Sequence, residues 1–198
     1  MEILLLVIAA VVAATVILRR QRYRTWRRLA RRYRLTYRPD PSGRPRVTGS
    51  INGRPCRLAV SNESSDTGIA AVEVVELTVE ARTAAPPDLE ITEGTSVDPL
   101  VGVESVATGD SAFDERLRVT GQDPEAIRAY LTPDRRRAIL HLFEEAAPDH
   151  VVMKGEEITV RRRRAVSRLE TIEADLALLL DTANRLENPR TTTEGVHS

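Results

Sequence analysis

Asp110, Asp114 and Glu115 form a compact group of carboxylates. Paired carboxylates divide general-acid and general-base work when a cleft drives their pKa values apart. The same residue types, placed just before an alternating stretch, equally serve as turn and cap residues, because a short carboxylate accepts from free backbone N–H groups. Other reactive types are scattered. His141, His150 and His197 lie far apart and have no neighbours at metal-ligating spacing. Cys56 is the single cysteine, so no intrachain disulfide can form, and its place mid-strand reads as a small core residue. Gly49 and Gly53 frame a turn without the Lys-Ser/Thr pair of a phosphate loop. The sequence therefore predicts no catalytic, metal or cofactor site. A membrane-tethered enzyme working through Asp110 and Asp114 stays open as the alternative.

The elements around these residues begin with an apolar run from Ile3 to Leu18, broken only by Thr15. As a helix its sixteen residues would span about 24 Å, against a hydrocarbon core of about 30 Å. Eleven of them are Leu, Ile or Val, which favours insertion by several kcal/mol. Arg19 and Arg20 can reach outward to the headgroups, and slight bilayer thinning absorbs the mismatch. A cleaved signal peptide would carry positive charge ahead of its apolar stretch, yet only Met1 and Glu2 precede this one. The expectation is a single-pass anchor over 1–20 in a cell (inner) membrane. The arginine flank places the N-terminus outside and the C-terminal domain in the cytoplasm.

Charge is unevenly laid out although it sums to zero. Residues 19–57 hold fourteen arginines and one acid, Asp40, whereas residues 61–115 hold thirteen acids and one arginine, Arg82. A basic helix is predicted over 21–38, with Tyr23, Trp26, Leu29, Ala30 and Tyr33 along one side. It either continues the anchor into the domain or lies flat among the headgroups. Arg19, Arg20, Arg22, Tyr23, Arg24, Trp26, Arg27 and Arg28 are the expected lipid-contact residues. Beside an anchor, anionic lipid is a simpler partner for this pattern than nucleic acid, which is not expected.

An α+β cytosolic domain is predicted over 46–188, after a stiff proline-rich linker at 39–45. Val47, Gly49 and Ile51 alternate, Asn52 and Gly53 make a type I′ turn, and Cys56, Leu58 and Val60 alternate again, with Pro55 suggesting an edge. The phase slip between Val74 and Val75 predicts a β-bulge there, followed by a loop at Ala84–Pro87 and a short strand at Leu89 and Ile91. Leu117 and Val119 mark a strand. Asp123-Pro124 and Thr132-Pro133 each open a helix, and Arg135, Arg136 and Arg137 read as a solvated helix face. Val151–Met153 and Ile158–Val160 read as a hairpin around Gly155. A long helix from Val166 to Leu186 carries apolar residues every three or four positions, and the tail 189–198 is expected to be disordered. The expected architecture is an N-terminal transmembrane helix, then an antiparallel sheet with helices on one face and a long C-terminal helix. Arg161, Arg162, Arg163 and Arg164 put charge on both faces of a strand end, either at an open edge or as a partner surface.

The block from Phe113 to Pro133 resembles a segment of uncharacterised bacterial single-pass membrane proteins, F-D-x-x-F-x-V followed by D-P, an arginine and L-T-P. Phe113, Asp114, Val119, Asp123, Pro124, Arg128, Leu131, Thr132 and Pro133 fall on the shared positions, and Leu117 stands where the family has a second Phe. The resemblance covers about a tenth of the chain and implies a bacterial cytosolic-side domain, but no catalytic residues. The function expected is a membrane-anchored, non-enzymatic binding or assembly module with a protein partner, its basic helix on anionic lipid. A lipid-surface sensor is the remaining alternative.

Overall fold

The structure, a computed structural model, describes residues 24–64, 71–94, 105–163 and 168–188. The predicted anchor, Arg19, Arg20, Arg22, Tyr23, Arg164 and the tail at 189–198 lie outside the described residues. Along the chain run α1 (24–32), β1 (Thr36–Tyr37), β2 (Arg46–Ile51), β3 (Arg54–Ser64), β4 (Ala71–Glu93), α2 (Ser111–Arg116), β5 (Leu117–Thr120), α3 (Pro124–Tyr130), α4 (Pro133–Ala146), β6 (His150–Arg162) and α5 (Leu169–Glu187). The fold is α+β, with six strands in one antiparallel sheet.

The sheet starts from the predicted hairpin. Asn52 and Gly53 take φ of 53° and 73°, the left-handed conformation a type I′ turn needs at both central positions. That turn sets the register of β2 on β3, with Gly49 opposite Cys56 and Val47 opposite Leu58. β4 then pairs with β3 along one edge and with β6 along the other. Directly opposed residues share a face, so Cys56, Val79 and Ile158 stand in one row and Leu58, Leu77 and Val160 in the next. All six are buried in a single core. The other face carries Arg57, Thr78 and Thr159, with the two threonine hydroxyls 3.0 Å apart.

Three expectations about the strands are corrected. No bulge separates Val74 from Val75, because the β3–β4 register is unbroken from Ala71 to Val79. The two valines are both buried, on opposite faces, so apolar residues on both sides produced the apparent slip. The irregularities lie further on, between Glu80 and Ala85 and between Ala85 and Leu89, so the stretch read as loop and short strand belongs to one long, bent β4. Arg82 and Asp88 take positive φ within it. The turn expected around Gly155 is there: Gly155 takes φ of 59° and Asp149 N donates to Arg161 O at 3.0 Å, so β6 doubles back on itself while β4 pairs along both of its halves. Pro55, expected at a sheet edge, lies on an interior strand. It sits one residue before the β4 pairing begins at Cys56, where no β4 ladder bond is lost.

α5 lies on β4 and α4 packs on α5. Ile172, Leu176, Leu179, Ala183 and Leu186 are buried along α5, as the three-and-four spacing predicts. α1 differs from expectation. Trp26, assigned from the sequence to the lipid headgroups, is 0% exposed, as is Leu29, and both belong to the domain core. The segment read as a linker is a tight connection between β1 and β2, with the Asp40 carboxylate accepting from Arg44 N at 2.8 Å. The juxtamembrane helix is thus built into the domain, because its apolar side covers core that the short β1 leaves open. Among the described residues no helix is long and apolar enough to cross a membrane.

Candidate functional site

The acids singled out in the sequence are occupied by backbone. Asp114 accepts from Thr108 N through both oxygens, at 3.1 and 3.0 Å, from Thr108 Oγ1 at 2.7 Å and from Gly109 N at 3.2 Å. Asp110 is the N-cap of α2, accepting from Phe113 N at 3.2 Å, and its other oxygen receives Arg136 Nε at 3.1 Å. Asp123 caps α3 through Glu125 N and Ala126 N, and Arg128 Nε donates to Ala107 O at 3.1 Å. The Phe113–Pro133 block is thus a local framework of caps around buried Phe113, Val119 and Leu131. A carboxylate whose two oxygens already accept from three or four backbone and hydroxyl donors has its acceptor sites filled from within the fold. Asp114→Asn is expected to cost about 1–3 kcal/mol of stability, since an amide replaces one acceptor with a donor facing other donors. Urea unfolding measures this, and an unchanged midpoint would contradict the structural role.

The arginine expectations divide. Arg135 and Arg136, expected on a solvated face, are tied inward. Arg135 donates to Leu186 O at 2.9 Å, Tyr130 O at 3.0 Å and Thr83 Oγ1 at 3.2 Å, and lies 4.2 Å from the Tyr130 ring centroid. A guanidinium both stacks and forks, so it can bind helix C-terminal carbonyls while covering an aromatic face. Arg137 is exposed and pairs with Asp134. In the 161–164 run, Arg161 pairs with Glu76 at 2.9 Å, Arg162 with Asp175 at 2.7 Å and Arg163 with Glu63 at 3.5 Å. The charge on both faces of that strand end is answered by acids of this chain. Burial raises the Asp175 carboxyl more than Arg162 lowers it.

His150 Nδ1 lies 2.9 Å from Glu90 Oε1 across the β4–β6 ladder. That hydrogen bond, outweighing burial, holds the Glu90 carboxyl below its ordinary value. A lowered carboxylate stabilises the fold above its unfolded pKa, and the contribution fades as pH falls through the folded one. The stabilisation is therefore complete above about pH 4.5 and lost below it. Glu90→Gln should flatten that part of a stability–pH curve and cost about 1 kcal/mol at neutral pH. Parallel curves for the two proteins would count against it. His141 is half-buried on α4. Burial raises the Cys56 thiol pKa, which keeps it protonated and unreactive, the core role expected of it. Among the described residues no three His, Cys, Asp or Glu side chains group to hold a metal ion.

Two surface features remain. A cleft of about 300 Å³ opens beside the β3–β4–β6 rows, lined by Pro55, Arg57, Thr78, Glu80, Glu156 and Glu157 among others. It joins residues from three distant stretches, which is why no sequence pattern announced it. The second is α1, which turns Arg24, Arg27, Arg28 and Arg31 outward, opposite its buried Trp26 and Leu29. Arg27 lies 5.4 Å from the Tyr37 ring centroid, and Arg32 pairs with Glu173 of α5 at 3.1 Å.

The six-stranded antiparallel sheet, the helices packed on it and the one buried core define a single-core α+β domain. The mycobacterial trehalose monomycolate transport factor A, TtfA, has a crystal structure of similar fold. The two align with a TM-score of 0.51 over 79% of this chain and 93% of that one, at 12% sequence identity, so the likeness is one of fold. No family model and no curated protein matches this chain.

Proposed function

We propose that this chain is a single-pass membrane protein whose cytoplasmic α+β domain is a non-enzymatic binding or assembly module. In this reading Ile3–Leu18 is the anchor and the arginine side of α1 lies against anionic lipid headgroups. One observation carries it. Trp26 and Leu29, eight and eleven residues past the apolar run in sequence, fix α1 in the core, and its arginines face solvent. A domain so attached is held at the bilayer surface by a rigid joint, with about 1 kcal/mol of attraction to anionic lipid per nearby arginine. The occupied state of Asp110 and Asp114 favours binding over catalysis. A protein of similar fold is a transport factor, and an accessory role in a transport assembly is in keeping with a module of this kind. The resemblance of the Phe113–Pro133 block to bacterial membrane-anchored proteins agrees with that placement.

The test is photo-crosslinking in native membranes, with the crosslinker at Arg57 or Glu157 beside the cleft. The expected result is one recurrent protein adduct, and retention of the chain in membranes after alkaline washing. Release of the chain by that wash, or turnover of a small molecule that Asp114→Asn abolishes while the protein stays folded, would overturn the reading.

A further inference from the structure

The basic helix is not alone at its end of the domain. The Asn52–Gly53 turn closes one end of the sheet, and the strands run from it toward the pairs Arg46–Ala59 and Val75–Arg162 at the other. Three chain segments far apart in sequence arrive at that second end. α1 reaches it because Arg27 sits over Tyr37, the partner of Val47. The β1–β2 connection reaches it with Arg38, whose backbone N–H donates to Arg46 O at 2.9 Å. The start of α5 reaches it because Arg162, the last residue of β6, binds Asp175. The Arg32–Glu173 pair, two residues before Asp175, ties α1 to the same part of α5. Arg24, Arg28, Arg38, Arg46 and Arg168 are all exposed there. Glu63 and Glu76 also lie toward this end, each paired with Arg161 or Arg163, while Glu80, Glu156 and Glu157 border the cleft.

We infer that Arg38, Arg46 and Arg168 join the arginines of α1 in one docking surface for an anionic lipid bilayer, so that the domain stands with its Asn52–Gly53 end and its cleft pointing away from the membrane. The occupant is a bilayer because the apolar run leads directly into α1 at this end, and a fixed array of arginines matches a plane of phosphates. The acids Glu63 and Glu76 near this end are answered by Arg161 and Arg163, whereas the inverted posture would bring Glu80, Glu156 and Glu157 to the headgroups. This inference rests on the anchored reading above. It adds that segments outside α1 touch lipid and that the posture is fixed.

The experiment uses the full chain reconstituted in vesicles of phosphatidylcholine alone or mixed with phosphatidylglycerol. Because Cys56 is the only native cysteine and is buried, a fluorophore can be placed on Glu170→Cys, beside Arg168, or on Asn52→Cys at the far turn. Lipids spin-labelled at the headgroup should quench the Glu170 position in phosphatidylglycerol vesicles, less in phosphatidylcholine or high salt, and should spare the Asn52 position. In an Arg38→Gln, Arg46→Gln, Arg168→Gln chain, the ratio of docked to undocked domain should fall roughly fivefold per arginine removed. Continued protection of Cys56 from a thiol reagent reports that this variant is folded. Unchanged quenching in it, with quenching lost in an Arg24→Gln, Arg27→Gln, Arg28→Gln chain, would overturn the extended surface and leave the α1–lipid contact standing. Equal quenching at both positions would overturn the posture. Absence of any phosphatidylglycerol dependence would overturn both.

Discussion

Replacing Arg54 with alanine is expected to lower the unfolding free energy by about 3–5 kcal/mol. Arg54 is 6% exposed, just past the Asn52–Gly53 turn. Its guanidinium donates to Glu80 O and to both carboxylate oxygens of Glu187, and Nη2 reaches Asn184 Oδ1 at 2.7 Å. One side chain therefore joins the hairpin, the start of the β4 bend and the last turn of α5. It also meets the carbonyl end of α5, where positive charge is favoured. Truncation would leave Glu187 half-buried without its cation, and most of the cost comes from that orphaned charge. Arg54→Met with Glu187→Leu removes both charges and should recover most of the loss. Urea unfolding of the single variants and the pair measures the coupling. If Arg54→Ala costs under about 1 kcal/mol, the level of a surface ion pair, the clasp has no structural weight.

Trp26→Ala should cost about 3–5 kcal/mol, the range for emptying a large aromatic site in a core. Trp26 is wholly buried, and its Nε1 is among the described buried polar atoms without a hydrogen-bond partner. Trp26→Phe removes that unpaired N–H and keeps most of the ring, so a loss below about 1.5 kcal/mol is expected. The two variants separate packing from polarity. As the single tryptophan of the chain, Trp26 also reports on α1 directly. Its emission should be blue-shifted in the folded protein and unaffected by adding lipid. A lipid-induced change would mean that α1 leaves the core to lie in the headgroups, which would remove the rigid joint on which the proposed function depends.

Much of the fold was legible because short-range chemistry dictates it. Asn52-Gly53 specifies a type I′ turn, Asp123-Pro124 a capped helix start, and the repeat from Ile172 to Leu186 one buried helix face, wherever these residues occur. Phe113, Asp110 and Asp123 took the core and cap roles that their neighbours imply. Failures came where a residue's environment is supplied from a distance. The Val74–Val75 slip resembled a bulge because nothing local reveals that both faces of β4 are covered there.

For function, the sequence alone determined the apolar run and the uneven charge, since each is a matter of residue type and order. Only tertiary structure decided what the charges face. It placed Trp26 in the core, turned Arg135 and Arg136 inward onto carbonyls, matched Arg161, Arg162 and Arg163 with acids from other elements, and spent Asp114 on Thr108 and Gly109. A side chain's type fixes what it can bind, while its partner depends on which distant segments the sheet register brings within about 3 Å. The pairing of β4 with both β3 and β6 therefore separates the arginines that hold this fold together from those left exposed.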